Sequence, residues 1–300
     1  MKITITGASG FVGKNLSAYL KQNHLNIQEL SLRTNDWKSS FNKNTDVIIH
    51  LAGKAHDTEN TSQEQEYFTI NRDLTIALFN EFLNSECTDF FYFSSVKAVA
   101  DTTDGIVDEN IIANPLTAYG KSKHQAEEYL LKQQLPLGKR LFIIRPCMIH
   151  GSGNKGNLNL LYKIVEKGIP WPLSKFENKR SFIGIDNLSY LILQMIQNET
   201  VVSGIYNFAD DEALSTNQLI ETINLTLGKK AKFLPINKKF VENIAKIGDK
   251  IHLPLNSERL KKLTESYVVS NQKIKKALAI QQLPITTQEG LINTIKSFKN

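Results

Sequence analysis

The chain has 300 residues, 41% apolar and 22% charged, enough for a sizeable core and ordinary for a soluble globular protein. Its 36 basic and 30 acidic residues leave a net charge of +6, yet only six of the basic residues are arginine and the lysines are scattered, which argues against a nucleic-acid surface. No stretch approaches about twenty uninterrupted apolar residues, no signal-peptide pattern opens the chain, and Cys87 and Cys147 give neither a disulfide framework nor a metal-ligand spacing, so a cytoplasmic protein with no membrane span is expected.

Lys2-Ile3-Thr4-Ile5-Thr6 reads as a short strand that runs straight into Gly7-Ala8-Ser9-Gly10-Phe11-Val12-Gly13. A helix follows, with Val12, Leu16 and Leu20 on one stripe. Strand, glycine turn and helix in that order make a dinucleotide-binding context. Gly7 permits the tight turn, Gly10 lets backbone amides approach a pyrophosphate, and Gly13 lets helix and strand pack closely. Gly7, Ser9, Gly10, Phe11, Val12 and Gly13 are therefore candidate cofactor contacts. A second strand, Ile27 to Leu32, is expected to end beside the adenosine ribose. An acid there would hold the 2′-hydroxyl of NAD(H), but the strand end reads Ser31-Leu32-Arg33 and the first acid beyond it is Asp36. Ser31 and Arg33 suit a 2′-phosphate, which favours NADP(H), with NAD(H) as the alternative.

Asp46 to Leu51 is a nearly continuous apolar run, as expected of a central parallel strand, and Leu51-Ala52-Gly53 is small enough for a cofactor to lie against the backbone. A helix from about Glu64 carries Tyr67, Asn71, Leu74, Leu78 and Phe82. The next strand, Phe90 to Phe93, delivers Ser94-Ser95, and a loop then runs to Pro115. The following helix, to about Gln133, opens with Tyr119-Gly120-Lys121-Ser122-Lys123. Tyr119 and Lys123 stand one turn apart on one face, and an ammonium beside a phenol would pull the phenol pKa down towards neutrality. Leu141 to Arg145 is a further buried strand. Strands alternate with helices throughout, which predicts an α/β fold with a doubly wound parallel sheet and ligands at the strand C-terminal ends, where Ser95, Tyr119 and Lys123 all fall.

With these motifs the chain resembles an extended short-chain dehydrogenase/reductase, the group that holds nucleotide-sugar epimerases, dehydratases and ketoreductases. The resemblance rests on residues 7–13, Asp46 to Gly53, Asn71, Ser94-Ser95, Tyr119 to Lys123 and Arg145-Pro146, and continues in Arg180-Ser181-Phe182-Ile183, Tyr206 to Asp210 and Glu289-Gly290-Leu291. It implies a Rossmann-type fold. It also implies that Ser95 hydrogen-bonds the reacting sugar oxygen, that Tyr119 is the acid/base, and that Lys123 binds the nicotinamide ribose and tunes Tyr119. Leu51, Ala52, Gly53, Asn71 and Pro146 join the cofactor contacts. Where the group's 4,6-dehydratases carry an Asp-Glu pair after the triad Ser or Thr, this chain has Val96-Lys97, which disfavours dehydration. The run Phe93 to Lys97 is similar to 4-ketoreductases and 4-epimerases of UDP-N-acetyl-6-deoxyhexosamines. Met148 replaces an asparagine common in epimerases, and together with the missing acid it tilts the reading towards an NADPH-linked reductase. A 4-epimerase with retained NAD is the alternative, and an NADP-binding sensor without chemistry is the rival from another class.

His150 to Asn157 is a polar loop suited to nucleotide recognition. The resemblance assigns Asn157 to the nucleotide and Arg180 to the diphosphate, with Arg259 as a second phosphate contact. His56, just past the third strand, could reach the sugar, although a loop histidine is more often inert. Asp186 to Gln197 reads as a helix and Ile205 to Ala209 as a late strand. The expected division is a dinucleotide domain over 1–149, with 181–210 returning to it, and a smaller C-terminal substrate-binding lobe from 150–180 and 211–300. An amphipathic stretch with Phe240, Ile244 and Ile251 could lie on a membrane surface, given its lysines, but core packing is the preferred reading. The family resemblance also implies a homodimer, through the helices following Asn71 and Tyr119.

Overall fold

The computed structural model describes residues 1–55, 63–103, 105–154, 157–251 and 256–298, without the side chains of Asn157 and Ile251. His56 lies outside the described residues. In chain order the elements are β1 (Lys2–Thr6), α1 (Phe11–Gln22), β2 (Asn26–Leu30), a 3₁₀ turn (Trp37–Ser40), β3 (Val47–His50) and α2 (Glu64–Tyr67). A π-helical turn (Phe68–Asp73) joins α2 to α3 (Leu74–Leu83), and β4 (Asp89–Phe93), a 3₁₀ turn (Val96–Ala98), β5 (Ile106–Val107) and α4 (Ala118–Lys132) follow. Next come β6 (Arg140–Pro146), β7 (Met148–His150), α5 (Asn157–Glu166), β8 (Phe182–Gly184), α6 (Ile185–Gln197) and β9 (Gly204–Phe208). The chain closes with α7 (Thr216–Thr226), α8 (Lys238–Ile251), α9 (Ser257–Thr264), β10 (Val268–Val269), α10 (Gln272–Ala277) and α11 (Thr287–Ser297).

Six strands form one parallel sheet in the order β2-β1-β3-β4-β6-β9. The strand alternation divides each apolar run between the two faces. Ile3, Ile5, Val47, Ile49, Phe91, Phe93, Phe142 and Ile144 face α1 and α6, where they meet Leu16, Leu20, Leu188 and Leu191. Ile48, Phe90, Tyr92, Leu141 and Ile143 face α3 and α4, where they meet Leu78, Phe82, Ala126 and Leu130. Helices on both faces make the sheet doubly wound, and the order reverses between β1 and β3, where a crevice opens at the strand C-terminal ends.

A separate apolar cluster gathers Leu158, Leu161, Leu219, Ile223, Val241, Leu260 and Leu291 from α5, α7, α8, α9 and α11, with Phe182 of β8 and Trp171 from the segment before it. Tyr267, Val269, Ile274 and Leu283 instead pack with the sheet's core, and β10 pairs with β5 in parallel.

Several local expectations change. The second strand stops at Leu30, two residues early, so Ser31 to Arg33 already belongs to the turn. The helix expected from Glu64 is widened by the π turn around Asn71. The loop expected before Pro115 contains a 3₁₀ turn and β5, and the polar loop after His150 follows a short strand, β7, paired with β8. Helix α8 packs on the second cluster through Val241 and Ala245, whereas Phe240 is exposed.

Candidate active site

Beside the switch point lies a cleft of about 800 Å³ whose walls include Gly7, Ser9, Gly10, Arg33, Leu51, Ala52 and Gly53. Gly7 has φ +71°, and a Cβ there would meet the Ala52 nitrogen at 2.6 Å, so only glycine lets the first turn lie against the end of β3. At Gly13 a Cβ would stand 2.6 Å from Ala8 Cα, which keeps α1 tight on the turn. Gly10 is the N-cap of α1 and has no side-chain oxygen to offer, and no acid occupies the first helical turn. The helix therefore begins with amides unclaimed by a capping side chain, the arrangement that receives an anion. Phe11 and Val12 hold this turn by packing on the sheet core. These residues fit a dinucleotide.

The cleft continues towards Lys123. A Cβ on Gly53 would approach Asn71 Oδ1 at 3.0 Å and Lys123 Nζ at 3.2 Å, so Gly53 joins the cleft to the triad residues. Lys123 is buried; its ammonium donates to the Phe93 carbonyl at 2.8 Å and lies 5.0 Å from the Tyr92 ring centroid. Asn71 is fully buried in the π turn. Its carboxamide accepts from the Lys54 amide at 2.7 Å and donates to Ser122 Oγ at 3.1 Å, which ties the turn to α4. A buried relay supports it from below: the Ala52 amide donates to Thr6 Oγ1, Thr6 and Thr75 flank His50 at 2.7 and 2.9 Å, and Thr75 donates to the Asn71 carbonyl. Burial, reinforced by Lys123, lowers the His50 pKa to about 3, so the ring is neutral and its Nε2–H points at Thr75.

Ser95 caps the 3₁₀ turn by accepting from the Lys97 amide at 3.1 Å, and it shares a hydrogen bond with half-buried Tyr119. The Tyr67 ring stands edge-on to Tyr119 at 6.2 Å. Burial raises the Tyr119 pKa, against the lowering effect of Ser95, with Tyr67 raising it further. The expected lowering by Lys123 is corrected here: the ammonium is anchored on Phe93, and the phenol stays protonated at neutral pH.

Two residues outside the motif positions fix this geometry. Asp101 accepts the amides of Leu116 and Thr117 at 2.7 and 3.2 Å, and Thr117 Oγ1 in turn caps α4 through the Gly120 amide. A Cβ on Gly120 would collide with the Lys97 carbonyl and stand 2.9 Å from Pro115, so glycine lets the first turn of α4 rest on the turn that carries Ser95. An Asp alone in a loop gave no signal of this, because the contact depends on a fold sixteen residues deep.

Lys123 also yields a pH test. Burial, partly offset by Glu127, brings its pKa down from 10.5 to about 8. Between those values the folded state binds fewer protons than the unfolded one, so stability rises with pH. Wild type should therefore gain on Lys123→Met by roughly 3 kcal/mol as pH rises from 8 to 10.5. Urea unfolding of the cofactor-free proteins measures this, and a pH-independent difference would contradict it.

The expected substrate contacts are less convergent. Arg180 is half-buried; its backbone bridges to Leu214 and Tyr267, and its guanidinium donates to the Lys262 carbonyl in the last turn of α9. It lines a small recess with Met148, Leu158 and Phe182. Arg259 is exposed on the same helix, its amide capped by Asn256 at 2.8 Å. Asn157 begins α5. Pro146 is buried at the end of β6, at the same sheet edge as Ser95. Lys97, a departure from the dehydratase pattern, stands near Arg180. Lys97 donates to the Asp101 carbonyl at 2.6 Å and lies 4.3 Å from the Tyr267 ring centroid; burial lowers its pKa, with Asp101 raising it and Arg180 lowering it. Glu29, the penultimate residue of β2, lines the cleft at the switch point with Ser31. Its signal was lost because the strand was read two residues too long.

Residues 3–209 match the model of the NAD dependent epimerase/dehydratase family. The chain is similar to a UDP-glucose 4-epimerase of Vibrio cholerae, 28% identical over 99% of this chain and 95% of that one. It is also similar to an N-acetyl-alpha-D-glucosaminyl-diphospho-ditrans,octacis-undecaprenol 4-epimerase of Escherichia coli O157:H7, 26% identical over 98% and 94%. Among solved structures, RMD from Pseudomonas aeruginosa complexed with NADPH shares the fold, with a TM-score of 0.76 at 19% identity and 99% coverage of both chains.

Proposed function

The chain belongs to the NAD dependent epimerase/dehydratase family, and from that premise we propose that it reduces the 4-keto group of a UDP-4-keto-6-deoxy-N-acetylhexosamine with NADPH, a step in polysaccharide precursor synthesis. That it is an enzyme acting on nucleotide sugars, by epimerisation or reduction, follows from its family and relatives. The observation that carries the reductase reading is the turn after β2, where Ser31 and Arg33 line the cleft. An arginine there can pair with a 2′-phosphate.

In this reading Gly7 to Gly13, Leu51 to Gly53, Asn71 and Pro146 hold the dinucleotide, and Lys123 holds the nicotinamide ribose. When bound, the cofactor supplies the hydride that reduces C4. Ser95 steadies the sugar oxygen, and Tyr119 gives it the proton that completes the alcohol. A tyrosine that stays protonated at neutral pH suits a donor in the reducing direction. Asn157, Arg180 and Arg259 hold the UDP moiety on the lobe built by 150–180 and 211–300, and α3 and α4 would pair two copies.

The second reading is a 4-epimerase with retained NAD. It is favoured by Glu29, an acid that lines the same cleft, and by the full-length similarity to the Vibrio cholerae enzyme. Identifying the nucleotide that co-purifies separates the two: exchangeable NADPH supports the reductase, and tightly held NAD⁺ the epimerase. In the reductase, Arg33→Ala should weaken NADPH about tenfold or more while changing NADH little. Equal losses for both, measured by fluorescence titration, would remove the basis of the NADPH assignment.

A further inference from the structure

Residues 229–262 hold ten basic and three acidic side chains, a net +7, whereas the whole chain carries +6. The cationic excess is therefore concentrated in this one segment, and α8 runs through its middle. Val241, Ala245 and Gly248 bury one face of α8. At about 100° per residue, Phe240, Ile244 and Ile247 form a second stripe roughly a quarter-turn away. Phe240 is 58% exposed and Ile247 54%. Lys239, Lys246 and Lys250 form a third stripe a further quarter-turn on, opposite the buried face, while Glu242 and Asp249 lie on the remaining side. Core packing accounts for the first face only. A large aromatic and an isoleucine turned outward beside a row of lysines is the order of surfaces an interfacial helix presents. Leu234, in the segment entering α8, adds a further side chain 50% exposed.

We propose that α8 docks the protein on an anionic bilayer surface, with Phe240 and Ile247 entering the boundary between headgroups and acyl chains and Lys239, Lys246 and Lys250 meeting lipid phosphates. The chemistry favours a bilayer over an acidic protein. Every cation of α8 is a lysine, a point charge on a long flexible stem that adapts to a fluid array of phosphates. Fixed carboxylates on a protein partner would be met better by the planar fork of arginine.

The test is co-sedimentation of the full chain with vesicles of phosphatidylcholine alone or mixed with phosphatidylglycerol in equal parts. The protein should sediment with the mixed vesicles only. Phe240→Ser/Ile247→Ser should weaken this about tenfold or more, and Lys239→Gln/Lys246→Gln/Lys250→Gln about a hundredfold, near fivefold per charge. Melting temperature and dinucleotide binding should stay at wild-type values in both, which separates lost docking from lost folding. Three results would overturn the proposal: no sedimentation of wild type with mixed vesicles, sedimentation unchanged by Phe240→Ser/Ile247→Ser, or a change of oligomeric state in that variant on analytical ultracentrifugation.

Discussion

Tyr119→Phe should lower turnover of a UDP-4-keto sugar by about 10²- to 10⁴-fold, the range for removing a positioned proton donor. The ring stays, so its contact with Tyr67 and its packing at the start of α4 persist, and only the hydroxyl that bonds Ser95 is lost. The dinucleotide cradle proposed for Gly7 to Gly13 and Gly53 is untouched, and affinity for cofactor should change less than about threefold. Steady-state kinetics with each 4-keto substrate, alongside cofactor titration, make the comparison. Near-wild-type turnover in Tyr119→Phe would end the proton-donor assignment, and parallel loss of cofactor binding would point to a folding defect instead. Ser95→Ala should fall in the same direction by a smaller factor, since it removes one hydrogen bond to the same oxygen.

Arg145→Met should destabilise the protein by about 3–5 kcal/mol, because it strands a buried carboxylate. Glu127 and Arg145 are both almost fully buried, and the guanidinium engages the carboxylate with two prongs, Nε to Oε1 at 2.9 Å and Nη2 to Oε2. Burial alone would push the Glu127 pKa up, but His124 and Arg145 prevail and hold it below its ordinary value. The pair's contribution is therefore present above the unfolded carboxyl pKa and is lost as pH falls through the lower folded one. In Arg145→Met the sign reverses: burial raises the Glu127 pKa, the protonated form is favoured, and the stability gap to wild type narrows on acidification. Urea unfolding at pH 7 and pH 5 reads both effects. Glu127→Gln/Arg145→Met should recover most of the loss, since no charge remains buried. A single variant within about 0.5 kcal/mol of wild type at pH 7 would mean that water reaches the pair. Glu127 lies one turn beyond Lys123 on α4, so loosening it also frees the helix that carries Tyr119 and Lys123.

Much of the cofactor half could be read along the chain because its physics is local. A glycine that must take φ +71° sits in its own turn, and a strand buried on both faces must be mostly apolar, as β3 and β4 are between Val47 and Ile49 and between Phe90 and Phe93. The site's supports were hidden because they join distant segments. Asp101 reaches Leu116 and Thr117, Gly120 rests on Lys97, Arg145 meets Glu127, and none of these pairs shares a periodicity. Glu29 was missed for a smaller reason: strand ends are set by where the neighbour's ladder stops, here at Thr6 opposite Leu30, and no side chain announces that.

The sequence by itself determined the glycine cradle, the alternation of strands and helices, and the one-turn spacing of Tyr119 and Lys123, since each follows from backbone sterics or helical repeat within a few residues. Only the tertiary structure decided what those side chains meet. It anchored Lys123 on the Phe93 carbonyl, raised the Tyr119 pKa through burial, and turned Phe240 outward beside its lysines. Desolvation, unlike periodicity, depends on everything that packs around a group, and that is assembled from across the chain.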